Sequence, residues 1–169
     1  MPVAPDGRPL ADFGTRLLAY MIDSAVGSAV LMVIFVPIFV VVFFDFARTA
    51  ADNPYATPDI GGFTTRFLLV ELALIVLALV GYYVYHVEVM HRTGQTLGKK
   101  LMKLQVVPIE PGARLTRGRA ARRYLVEIVA AMFVPFFGLL NGLWQLRDKP
   151  YQQTLHDKAA QTVVIKVAP

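Results

Sequence analysis

Cysteine is absent from the 169 residues, so disulfides, thiolate metal sites and cysteine nucleophiles are excluded. Charge is scarce as well. Only 17% of residues are Asp, Glu, Lys or Arg, while 56% are hydrophobic and the mean hydropathy is +0.52, a balance that excludes an ordinary soluble domain of this size. Acids are fewer than bases, 12 against 17, leaving a net charge of +5. In so apolar a chain this surplus reads as the positive-inside signature and an attraction to anionic headgroups, not as a nucleic-acid footprint. The opening MPVAPDGRPLADFGT lacks a small-residue cleavage site, and the apolar run after it is too long for a signal-peptide core, so an uncleaved first span is expected.

What the chain does have is long apolar runs separated by charge and by helix breakers. Residues 1–13 read as a polar N-terminal arm and 14–44 as a first transmembrane helix. The run exceeds the ~30 Å hydrocarbon core, so it must tilt, bend near Pro37 or emerge at one end. Residues 45–66, with Pro54, Pro58 and the Gly61-Gly62 pair, read as an outer loop, and 67–87 as a second span closing with Tyr82, Tyr83 and Tyr85 in an interfacial aromatic belt. Residues 88–121 form a basic loop in which Arg92, Lys99, Lys100, Lys103, Arg114, Arg117 and Arg119 face only Glu88 and Glu110. The positive-inside rule makes this loop cytoplasmic, with the N-terminus inside and the 45–66 loop outside.

Within the basic loop Thr96 is placed to cap a short helix with Leu97, Leu101 and Leu104 at i, i+4 and i+7. Lys99, Lys100 and Lys103 fall on its other faces, where they would meet anionic headgroups of the inner leaflet. Two β-like runs, LQVV at 104–107 and TVVIKV at 162–167, are able to pair. The last apolar stretch, 122–146, is broken midway by VPFFGLLNG, whose Pro135, Gly138 and Asn141-Gly142 leave halves too short to cross alone. A single span would also carry the basic tail, 147–169, outside. The expectation is therefore an all-α membrane protein with two transmembrane helices, a re-entrant helical hairpin, and a small cytoplasmic cap of one interfacial helix and a two-stranded β pair.

Ionisable residues inside the spans are the candidate functional groups, because each costs at least a few kcal/mol unless it is partnered or used. Asp23 lies within the first span, and Arg16 lies two turns earlier on nearly the same face, about 10 Å away along the axis. Functionally, Asp23 could bind a proton or cation; structurally, it could pair with Arg16, Arg122 or Arg123, or hydrogen-bond a neighbouring helix. Ala19, Asp23 and Gly27, like Ser24 and Ser28, form small-residue stripes that admit a close helix and could serve an oligomer contact. Glu71 is placed to reach the outer headgroups, and Glu127 to pair with Arg123 at i to i+4; both could extend a polar path from Asp23.

Several look-alikes fail on spacing. GQTLGKK has three residues between Gly94 and Gly98, and Lys100 follows Lys99 where a phosphate loop needs Ser or Thr. His86 and His91 diverge by about 140° on a helix and lack a third ligand, so no metal or other cofactor is expected. His156-Asp157 lacks a nucleophile to complete a catalytic arrangement, and an enzyme is not expected.

RLLAYMID at 16–23, TGQTLGKKLMKLQVV at 93–107 and RDKPYQQTLHDKAAQTVVI at 147–165 together resemble the RDD family of small prokaryotic membrane proteins. The family is named for one arginine and two aspartates. By motif the resemblance implies Arg16, Asp23 and Asp157 in those roles, and a suggested function in transport, with cation/proton exchange among the proposed activities. Asp157 would then pair with Arg16 or with the Arg122-Arg123 doublet. Two function classes from this reading are a cation, proton or small-solute transporter or transporter subunit centred on Asp23, and a structural, assembly or lipid-binding protein in which the three named residues are polar contacts. Two spans cannot enclose a path, so a homo-oligomer or a larger complex in the inner membrane is expected.

Overall fold

The computed structural model describes residues 2–52 and 57–167. Helix α1, Phe13–Asp52, and helix α2, Ile60–Tyr83, are the long apolar elements, and both meet the length and composition needed to cross a membrane. A π-helical segment, Val84–Val89, prolongs α2 into α3, Met90–Thr93. Then come α4, Leu97–Leu101; β1, Leu104–Pro108; and α5, Arg117–Tyr124. A second π-helical segment, Leu125–Val129, leads to α6, Ala130–Phe133, and α7, Phe137–Trp144, before α8, Leu155–Ala160, and β2, Thr162–Lys166.

The long helices extend past the bounds expected of the spans. The 45–66 stretch read as a loop is helical up to Asp52 and again from Ile60, and α1 continues through Pro37. Pro54, assigned to that loop, lies outside the described residues. The chain divides into two compact units, Val26–Gly81 and the union of Met1–Ala25 with Tyr82–Pro169. In the first of these, the apolar side chains of both helices point outward, with Val33, Val41, Phe44 and Leu69 more than 60% exposed, as lipid-facing surfaces are.

The second unit has the buried core. β1 and β2 pair antiparallel, with Leu104 opposite Lys166, Val106 opposite Val164 and Pro108 opposite Thr162. The expected β pair is present, and the N-terminal arm adds to it. Ala11 N–H donates to the Val164 carbonyl at 2.9 Å, Lys166 N–H donates to the Pro9 carbonyl at 2.9 Å, and Leu10 bridges Ile165. Reading residues 1–13 only as a polar arm missed this: Ala4, Leu10 and Ala11 are buried, and the arm occupies the edge of β2 that would otherwise be an open pairing template.

The interruption in 122–146 falls at 134–136, where Val134 is extended and Phe136 has φ 60°, while Gly138, Asn141 and Gly142 all lie inside α7. Pro135 explains the position, since it removes a helical donor and restricts the residue before it. Around Thr96, α4 is only five residues long, and Leu104 belongs to β1 and is fully buried, so there is no helix with a Leu97, Leu101, Leu104 face.

Candidate functional site

Two buried carboxylates organise the unit formed by Met1–Ala25 and Tyr82–Pro169. Asp23, 6% exposed on α1, accepts three hydrogen bonds: from the Tyr85 hydroxyl (2.7 Å) and the Gly98 backbone N–H (2.7 Å) at Oδ1, and from the Thr96 hydroxyl (2.5 Å) at Oδ2. Tyr85 in turn accepts from Leu97 N–H at 2.7 Å. The donors come from the π-helical segment after α2, for Tyr85, and from the N-terminus of α4, for Thr96 and Gly98. The approach is close because position 98 is glycine: a Cβ there would overlap the Ala19 carbonyl oxygen and the Asp23 carboxyl carbon. Ala19, 1% exposed, supplies the small partner on α1.

This arrangement changes several expected roles. Thr96 stands at the N-cap position of α4, but its hydroxyl donates to Asp23 and makes no capping bond. Tyr85 turns inward to Asp23 and leaves the aromatic belt, because a phenol can donate to a carboxylate while accepting from a backbone amide. Lys99, expected at lipid headgroups, is 14% exposed with Nζ 3.9 Å from Asp23 Oδ2; Lys100 and Lys103 are exposed. The internal carboxylates attract its ammonium more strongly than a screened surface would, but burial outweighs them and pushes the Lys99 pKa down.

Asp157 is fully buried in α8 and receives charge from two sides. Arg16 Nη2 donates to Oδ2 at 2.9 Å, and Arg123 Nη1 donates to Oδ1. Arg16 also donates to Gln145 Oε1 and the Gln152 carbonyl, each at 2.8 Å, while Arg123 Nη1 also donates to Thr162 Oγ1 at 2.7 Å. Thr154 and Asp157 complete a capping box, which fixes the carboxylate at the N-terminus of α8. Burial alone would raise the Asp157 pKa; the Arg123 and Arg16 guanidiniums outweigh it and hold the carboxyl well below the usual carboxylate range.

Of the candidates for the Asp157 pair, Arg16 and Arg123 are both used. Arg122 is exposed and stands outside the network, because successive residues on a helix point about 100° apart. Arg16 and Asp23, on one stripe, take different partners. Glu127 does not make the expected i to i+4 pair: Arg123 is engaged by Asp157, and Glu127 Oε2 lies 4.0 Å from His156 Nε2. His156 is anchored by Asn141, whose Oδ1 accepts from its backbone N–H at 3.1 Å. Glu71 is exposed on α2, in the other unit. Tyr85, Gly98, Asn141 and Gln145 were missed by sequence reasoning; the last two sit at i and i+4, within and at the C-cap of the otherwise apolar α7, a pattern that could have marked a polar seam.

The arginine and two aspartates singled out by motif thus form two internal locks, and the RDD family model matches residues 10–161. The chain belongs to the RDD family. It is an RDD membrane protein by this match and by its two long apolar helices. The Bacillus subtilis (strain 168) protein YxaI, described as uncharacterized, is 30% identical over 163 residues, covering 92% of this chain and 96% of YxaI. No solved structure matches the chain. Among the described residues, no group of three or more His, Asp or Glu side chains is arranged to hold a metal ion.

Proposed function

We propose that this RDD protein acts as a non-enzymatic membrane scaffold, whose Arg16, Asp23 and Asp157 contacts hold a rigid cytoplasmic cap that binds anionic lipid and assembles with further copies or a larger membrane complex. The observation that carries this reading is the surroundings of Asp23. Its two oxygens accept from Tyr85, Thr96 and Gly98, with Lys99 close by, so the acceptor positions of the carboxylate are filled by donors supplied by the protein itself. A carrier carboxylate must exchange its partner in each cycle; this one is occupied.

The same contacts support a re-entrant path for 122–146 with both termini on the cytoplasmic side of the inner membrane. Arg123 at the start of the stretch bonds Asp157, and Gln145 at its end bonds Arg16, which bonds the same carboxylate. A straight span would carry its ends ~30 Å apart. Phe133 and Phe136, 78% and 82% exposed, flank the break and suit a tip inserted into lipid. Lys100, Lys103, Arg122 and Arg147 are exposed cations available to headgroups.

A second reading, transport of a proton, cation or small solute, is favoured by one feature. His86 Nδ1 is buried without a hydrogen-bond partner, and Glu127 faces His156, so ionisable groups remain that the locks do not use. Ion flux in liposomes containing the purified oligomer separates the two. The scaffold reading expects no proton or sodium flux above empty vesicles, a lower melting temperature for Asp23→Asn, and loss of phosphatidylglycerol retention in a Lys100→Glu, Lys103→Glu variant. Flux abolished by Asp23→Asn at unchanged melting temperature would overturn it; flux lost only in Glu127→Gln would establish the second reading.

A further inference from the structure

The unit Val26–Gly81 contains a cleft of about 640 Å³ between α1 and α2, within the size range of ligand sites, roughly 300 to 1,000 Å³. Its walls change character along the helices. Val41, Val42, Leu69 and Val70 line one part, and Asp45, Asp59 and Arg66 line the other. Asp45 is the first ionisable residue of α1 after the apolar run from Ser24 to Phe44, and Arg66 immediately precedes the apolar run of α2. The cleft therefore straddles the boundary between hydrocarbon and headgroup, with acyl-compatible walls on one side and charge of both signs on the other.

The charged rim is open to a ligand. Arg66 Nη1 and Asp45 Oδ2 are 3.3 Å apart, with side chains 73% and 64% exposed, and an exposed pair of this kind is worth little, so a ligand displaces it at small cost. Asp59 uses one oxygen to accept from Gly62 N–H at 2.8 Å and keeps the other. Two carboxylates against one guanidinium disfavour an anionic headgroup and suit one that presents both an ammonium and a phosphate. The ammonium must be primary, because carboxylates reward N–H donors. A quaternary ammonium needs an open aromatic cage, whereas the nearby Phe46 and Phe63 rings pack on each other, centroids 4.3 Å apart.

We propose that this cleft is a binding site for a zwitterionic phospholipid with a primary ammonium headgroup, its phosphate on Arg66, its ammonium on Asp45 and Asp59, and an acyl chain along Val41 and Leu69. The site goes beyond the scaffold reading and stands independently of it. Its test is native mass spectrometry of the full-length protein released from micelles containing equal amounts of phosphatidylethanolamine, phosphatidylcholine and phosphatidylglycerol with matched chains. The expected result is a phosphatidylethanolamine adduct several-fold more abundant than the phosphatidylcholine one. Arg66→Gln and Asp45→Asn each reduce that ratio at least twofold, Arg66→Lys keeps most of it, and the Lys100→Glu, Lys103→Glu variant leaves it unchanged. Equal retention of the ethanolamine and choline lipids by the unaltered protein would overturn the proposal, as would an ethanolamine preference that survives Arg66→Gln and Asp45→Asn.

Discussion

Replacing Asp157 with Asn removes the charge that two buried guanidiniums share while leaving the volume almost unchanged. The Arg16 side chain is 9% exposed and that of Arg123 1%, so neither recovers water when its partner is neutralised. The Asn amide can present its oxygen to only one of them and turns an N–H₂ donor toward the other. Breaking a buried ion pair by removing one partner costs about 3–5 kcal/mol, and for a chain of this length about 2–4 °C of melting temperature accompanies each kcal/mol, giving a drop of roughly 6–20 °C. Trp144, the single tryptophan, lies next to Gln145, which bonds Arg16, so its fluorescence in detergent-solubilised protein is a local reporter of the lock. Adding Arg123→Met to Asp157→Asn removes one of the stranded cations and should return part of the loss, with a coupling energy of about 0.5–3 kcal/mol. The pH dependence has a definite sign. Because the folded carboxyl titrates well below its unfolded value, the stabilisation is complete above about pH 4 and is lost only as pH falls through the depressed value. A melting temperature within about 2 °C of the unaltered protein for Asp157→Asn would refute the shared-carboxylate account.

His156 gives the opposite experimental window. Burial pushes its imidazole down to about 4 from 6.5, with nearby Glu127 working against the shift, so the unfolded chain takes up the proton first and stability falls from pH 7 toward pH 4. Between pH 7 and pH 5 the loss is about 2 kcal/mol, and His156→Gln should flatten the melting-temperature profile over that range. Gly98→Ala forces a methyl group against the Ala19 backbone and should cost about 1–3 kcal/mol, whereas Gly138→Ala in α7, where nothing lies within 4 Å, should be neutral or stabilise by up to about 1 kcal/mol. Equal melting temperatures for the two alanine variants would remove the close-approach argument.

The apolar runs made the two long helices legible, since twenty or more hydrophobic residues have few other uses, and the short β-like runs LQVV and TVVIKV marked both strands. Element ends were less legible. Helix α1 runs on to Asp52 through DFARTAAD, a stretch with good helix formers and no proline, although its charge reads as a loop. The break in 122–146 was correctly placed at Pro135 and wrongly shared with Asn141-Gly142, because a glycine inside a helix costs only about 1 kcal/mol while a proline also removes a backbone donor. At the site, Arg16 with Asp157 could be anticipated from topology, and Arg123 from its position in the doublet. The Asp23 partners could not. Tyr85, Thr96 and Gly98 are unremarkable in a linear reading, and only the close approach at Gly98 turns three neutral donors toward one carboxylate.

The two carboxylates are stabilised by different means, which determines what each can do. Asp157 is neutralised by two guanidiniums with fixed, planar donors, so its charge is matched by permanent cations that do not deprotonate in proteins. Asp23 is solvated mainly by neutral donors, with Lys99 at 3.9 Å as the nearest cation. Neutral donors substitute for water without cancelling the charge, and the cation nearest to it is Lys99, a more adaptable one than a guanidinium. Glu127 lies in the field of Lys99 as well as of His156 and His86, which ties the Asp23 lock to ionisable groups outside the two locks. His86, Lys99, Glu127 and His156 are therefore the groups in this unit that a proton or ion could engage, while Arg16, Arg123 and Asp157 form a fixed frame.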